Sequence, residues 1–153
     1  MKKISRGFTL IELLVVIGIL AILLAITLIA INPARQFGQA NNTRRRSDVL
    51  QILNAIHQYT AENSGILPSE VLALTVTTPT DFNSTGGLST LCTKLMTNYL
   101  PALPVDPLTG NTNITDCTAS TWDTGYQISR DSENRITVIA PDAALGATIQ
   151  VTR

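Results

Sequence analysis

Cysteine, histidine and aromatic side chains are scarce in this chain: its 153 residues include two cysteines, Cys92 and Cys117, one histidine, His57, and one tryptophan, Trp122. With no CxxC pair and no histidine cluster, a zinc or redox centre has no set of ligands to build on. In an extracytoplasmic protein two such cysteines read instead as one loop-closing disulfide, Cys92–Cys117, which stabilises a small head by ~3 kcal/mol in the chain-entropy picture. A Ser-His-Asp arrangement, a glycine-rich phosphate loop and a metal-ligand cluster are all missing, which argues against an enzyme. Charge of one sign is lacking too, since 11 Lys+Arg balance 11 Asp+Glu. No global field therefore draws nucleic acid.

What the sequence has in excess is one apolar run. From Phe8 to Ile31 the only charged residue is Glu12, and Thr9 and Thr27 are mildly polar. As a helix this run spans about 36 Å at 1.5 Å per residue, more than the ~30 Å hydrocarbon core of a bilayer. A cleaved secretory signal would have a shorter apolar region ending in an A-x-A-like site, whereas this one leaves through Asn32-Pro33. A plain single-pass anchor fits the length but gives Glu12 no purpose, because a carboxylate at mid-membrane costs on the order of 2–3 kcal/mol. Cutting the chain before Phe8 supplies one: it creates an α-amino group four residues upstream of Glu12. One chain's amino end can then meet another chain's carboxylate, and the pair is neutralised in low dielectric.

Gly7-Phe8-Thr9-Leu10-Ile11-Glu12 resembles the class III prepilin cleavage and methylation motif of type IV pilins and type II secretion pseudopilins, preceded by a short basic leader, Met1 to Gly7. The resemblance implies that a membrane peptidase cleaves after Gly7 and N-methylates Phe8, and that Glu12 pairs with a neighbouring subunit's N-terminus during assembly. Gly7 suits this role physically, since a residue without a side chain lets a protease reach extended backbone. Positive charge flanks the span on both sides, with Lys2, Lys3 and Arg6 before it and Arg35, Arg44, Arg45 and Arg46 after it. The positive-inside rule therefore leaves orientation open, and the resemblance implies a cytoplasmic leader. Removing that leader takes three Lys+Arg and no Asp+Glu, so the mature chain is mildly acidic.

Beyond Pro33 the helical period resumes in polar sequence. Val49, Ile52, Leu53, Ile56 and Tyr59 draw one apolar stripe that should pack on the head. Arg44 to Arg46, Asp48, Gln51 and Asn54 lie largely off it and read as a solvated face available for intersubunit salt bridges. Pro33 is expected to kink the helix or mark a flexible point. Otherwise helix is expected from about Thr9 to Glu62, ending at Asn63-Ser64-Gly65 and Pro68. His57, on the flank of this helix, has no companions for a metal role.

Downstream, residues 71–90 read as loop with one short strand near Val71 to Thr77. Leu88, Leu91, Cys92, Leu95, Met96 and Tyr99 predict a second, short helix that stops at Pro101. Turn signals from Leu103 to Gly110 then fold Cys117 back towards Cys92. Alternation predicts strands at Gly125–Ser129, Arg135–Ile139 and Ala147–Val151, with a polar turn at Asp131 to Asn134. The expected fold is α+β: a long N-terminal helix, apolar and membrane-spanning in its first half, packed against a small antiparallel sheet. The organisation expected is leader 1–7, transmembrane and filament-core helix 8–32, amphipathic extension 33–63 and globular head 64–153.

Tyr99-Leu100-Pro101, Leu103-Pro104-Val105-Asp106-Pro107 and the later Gly125-Tyr126 pair resemble the heads of small pilins and major pseudopilins, which implies the pilin fold. Some major pseudopilins bind calcium in a C-terminal loop, and the candidates here are Asp131, Glu133 and Asn134, in a turn whose residues are polar in any case. No other cofactor is implied. The resemblance implies a structural subunit of a type IV pilus-like filament. The alternatives are a major pseudopilin of a type II secretion system, or a minor pilin acting as a tip adhesin or DNA-binding protein, although one tryptophan is little for an adhesin. The implied partners are other copies in a helical homopolymer, the prepilin peptidase/methyltransferase, the assembly ATPase and the inner-membrane platform. A core subunit would bind no nucleic acid. It would sit in the cytoplasmic membrane, N-terminus inside, before joining an extracellular or periplasmic filament.

Overall fold

The computed structural model describes residues 7–110 and 112–153, with Thr97 described by its backbone. The leader residues Met1 to Arg6 lie outside the described residues. Among the described residues four α-helices, α1 (Leu10–Ile31), α2 (Pro33–Glu62), α3 (Ser69–Leu72) and α4 (Ser89–Asn98), and a 3-10 turn at Ala144–Gly146 accompany four strands, β1 (Thr80–Asn83), β2 (Asp123–Arg130), β3 (Ile136–Ala140) and β4 (Ile149–Thr152). The chain divides into two compact units, one ending at Phe37 and the other running from Gly38 to Arg153. The arrangement is α+β, a long apolar N-terminal helix and a small antiparallel sheet consistent with the pilin fold.

The expected continuous helix is interrupted, and the kink anticipated at Pro33 is a boundary. A proline disfavours α geometry in the residue before it, and Asn32 accordingly takes a left-handed conformation at φ 46°, which asparagine tolerates. Its carbonyl accepts the backbone N–H of Arg35 at 3.1 Å and of Gln36 at 3.4 Å, and its side-chain Oδ1 accepts Arg35 N–H at 3.3 Å. Pro33 is thus the first residue of a fresh helix, where its missing N–H loses nothing.

Within the second unit the predicted stripe of α2 forms the core: Val49, Ile52, Leu53 and Ile56 are fully buried, with Tyr59 packed partly against them. The sheet runs β1-β2-β3-β4, antiparallel throughout. Its inward positions are Phe82 on β1, Thr124, Tyr126 and Ile128 on β2, Ile136, Val138 and Ala140 on β3, and Ile149 on β4. Leu91, Cys92 and Leu95 of α4 close the core. The Cys92–Cys117 disulfide is present, closing a separation of 25 residues.

Two expectations for the connector are corrected. Val71 lies in the one-turn helix α3, where Val71 N–H and Leu72 N–H both donate to the Pro68 carbonyl. The strand comes later, at β1, whose register against β2 shifts between Asp81 and Asn83, and it is the first of the sheet's four strands among the described residues. Only Phe82 of Thr80-Asp81-Phe82-Asn83 is apolar, so β1 shows almost no alternation to read.

Arg45, expected on a solvated face, is completely buried. Its position four residues before Val49 and seven before Ile52 continues the apolar stripe upwards. Arg45 Nε donates to Asp106 Oδ2 at 2.6 Å, Nη2 to Asp106 Oδ1 at 2.8 Å and Nη1 to Asn42 Oδ1 at 3.1 Å. Asn42 in turn clamps Ala144, accepting its N–H and donating to its carbonyl, both at 2.8 Å. Asp48, likewise expected on the solvated face, is buried and accepts the Tyr126 hydroxyl at 2.8 Å. Arg44 remains exposed beside Asp48, and Arg46 is exposed. Gly125 makes room for the arginine's partner, because a Cβ at its φ of +71° would stand 2.8 Å from Asp106 Cβ.

α3 is fastened to α4 by a second polar cluster. Lys94 Nζ donates to Glu70 Oε2 at 2.8 Å and Thr90 Oγ1 donates to Glu70 Oε1 at 2.6 Å. Burial alone would push the Glu70 carboxyl up, but hydrogen bonds from Lys94 and Thr90 outweigh it and hold the group down at about 2. A carboxylate depressed in the folded state stabilises the fold fully above its unfolded pKa and loses that contribution as pH falls towards the folded value. Thermal unfolding of the full chain in detergent should therefore show stability declining from about pH 4.5 towards 2. Glu70→Gln should flatten that decline; an unchanged acid limb in the variant would rule out Glu70 as its source.

Candidate processing and assembly site at the N-terminus

α1 has no buried residue. Its 22 residues make it long and apolar enough to cross a membrane, and its exposed apolar surface runs from Leu10 to Ile31. Gly7 and Phe8 precede it, both exposed, with Phe8 at 89%. Among the described residues, and apart from its chain neighbours, nothing would lie within 4 Å of a Cβ placed on Gly7.

The start of α1 is fixed by Thr9. In its extended conformation (φ −83°, ψ 152°) it forms a capping box with Glu12. Thr9 Oγ1 accepts Glu12 N–H at 3.3 Å, and Glu12 Oε2 accepts Thr9 N–H at 2.8 Å and the Thr9 hydroxyl at 2.7 Å. Glu12 is therefore satisfied by its own helix end while Phe8 is still amide-linked to Gly7 and carries no amino charge. The signal for this cap is in the sequence, since Thr9-x-x-Glu12 before an apolar stretch spells a capping box, but the mildly polar Thr9 is lost in the apolar run.

The turn residues Asp131, Glu133 and Asn134 each bind an arginine. Asp131 accepts Arg135 Nε at 2.7 Å as well as the N–H groups of Glu133 and Arg135, and Glu133 Oε2 accepts Arg135 Nη2 at 2.8 Å. Asn134 Oδ1 accepts Arg130 Nη1 at 2.7 Å. The three residues together hold two guanidinium groups, those of Arg130 and Arg135. Among the described residues no three His, Cys, Asp or Glu side chains converge as a metal site.

Residues 2–28 match the family described as prokaryotic N-terminal methylation motif. The matched stretch contains Gly7, Phe8, Thr9 and Glu12 and ends inside α1, leaving the head outside it. No curated protein and no solved structure matches the chain.

Proposed function

We propose, from the premise that residues 2–28 are the class III prepilin signal of type IV pilins and pseudopilins, that this chain is a structural subunit of a type IV pilus-like filament. The peptide bond between Gly7 and Phe8 is hydrolysed by a prepilin peptidase, which frees the Phe8 nitrogen as an amine. That amine is protonated near neutral pH, and N-methylation leaves its charge in place. The new cation then takes the Glu12 carboxylate of a neighbouring copy out of its own capping box. Moving α1 from lipid to a bundle of identical helices changes its apolar surroundings little, so packing and this ion pair set the register.

The observation that carries the reading is the N-terminal match, in which glycine, phenylalanine, glutamate and apolar run stand in register. The filament reading assigns anchoring in the cytoplasmic membrane before assembly, and an assembly ATPase and membrane platform as partners. Mass spectrometry of the protein from cells containing the processing peptidase should find a chain beginning at methylated Phe8. Recovery of chains that still carry Met1 to Gly7 would overturn the proposal. The subunit should also dominate sheared filaments, where a tip protein would be scarce.

A further inference from the structure

Two patches beside α2, one at its middle and one at its C-terminal end, remain unexplained by packing within one copy. At the first, Leu145 is 57% exposed and sits in the left-handed region at φ 60°, a conformation costly for a leucine. The strain is imposed by its neighbours: Asn42 grips Ala144 by both backbone groups, and Leu145 itself lies close against the side-chain-free backbone of Gly38. Beside it, in the same shallow groove, Arg46 is exposed and has no hydrogen-bond or ion-pair partner among the described residues. Strain that holds an apolar side chain out in solvent points to a contact made outside the monomer.

The second patch is a cleft of about 450 Å³ lined by Tyr59, Glu62, Lys94, Asn98 and Tyr99. Its two tyrosine rings meet edge to face at 6.1 Å. Glu62 is exposed and accepts the Tyr99 hydroxyl at 2.7 Å, with no cation paired to it among the described residues. A carboxylate that accepts one such bond keeps free lone pairs for an arginine. Arg46 and Glu62 are about 24 Å apart along α2, too far to pair within one copy.

Resting on the filament reading above, we propose that these patches are the two halves of one contact: Leu145 and Arg46 of one copy dock into the Tyr59–Glu62–Tyr99 cleft of the next. Leu145 meets the aromatic rings and Arg46 meets Glu62. The halves are different surfaces, so the contact is heterologous and propagates into an open helical polymer rather than closing a dimer.

The test uses the full-length chain assembling in cells. With Leu145→Cys and Asn98→Cys combined, mild oxidation of sheared filaments should give a ladder of covalent multimers, absent from either single variant. Charge exchange gives an independent readout that needs no cysteine: Arg46→Glu should lower filament yield about tenfold, and adding Glu62→Arg should restore it. Filaments of normal yield that stay monomeric after oxidation, or Arg46→Glu filaments as abundant as wild type, would overturn the docking. Either result leaves the filament reading standing. That reading fails separately, if the wild-type chain keeps its leader and forms no filament.

Discussion

Replacing Asp106 with alanine is expected to remove about 3–5 kcal/mol of stability, because it strands the Arg45 guanidinium in the core without its counter-charge. Both carboxylate oxygens are used by the arginine, at 2.6 and 2.8 Å, and both side chains are fully buried. The loss extends beyond the pair. Asp106 Oδ1 also accepts Leu108 N–H at 2.8 Å and shapes the turn that follows. For a head of this size the change corresponds to a fall in Tm of about 12–40 °C, measurable by thermal unfolding of the full chain in detergent. The pair need not be the most stable filling for its space. Arg45→Met combined with Asp106→Leu should recover much of the loss, since an apolar replacement leaves no buried charge unpaired. A single Asp106→Ala variant melting within a degree or two of wild type would show that water reaches the arginine.

Glu12 carries the second large effect, and two substitutions separate its two jobs. Glutamine at this position keeps the capping box with Thr9, whereas alanine destroys it; neither can neutralise an ammonium. If the pairing with a neighbouring N-terminus governs assembly, both Glu12→Gln and Glu12→Ala should reach the membrane at normal levels. Both should then yield about tenfold fewer filaments or worse, equivalent to at least ~1.4 kcal/mol per lost contact. Filaments of Glu12→Gln as abundant as wild type would mean that the cap, not the charge, is what assembly needs.

The N-terminal segment was legible because its information is local: a motif, an apolar run and a helix start all lie within one stretch of chain. The same holds for the stripe Val49–Ile52–Leu53–Ile56 and for α4, whose periods survive intact in the fold. Arg45 is different: its charge and its place beyond the last apolar residue of the stripe argue for solvent, and the residue that settles the matter, Asp106, stands 61 positions away. Strand β1 depends in the same way on a remote partner, pairing with β2 across the whole of α4. The boundary at Asn32 could have been anticipated from the restriction that Pro33 places on the residue before it. The cap at Thr9 was equally open to reading, and was hidden only by the length of the greasy stretch around it.

The boundary at Asn32 also bears on what happens when a subunit exchanges one solvent for another. α2 draws its opening hydrogen bonds from the Asn32 carbonyl and side chain, not from the last turn of α1. If the chain assembles as proposed above, passage of the greasy rod from lipid tails into a protein bundle leaves the backbone pairing at the start of α2 in place, and the change of medium falls on the side chains of α1.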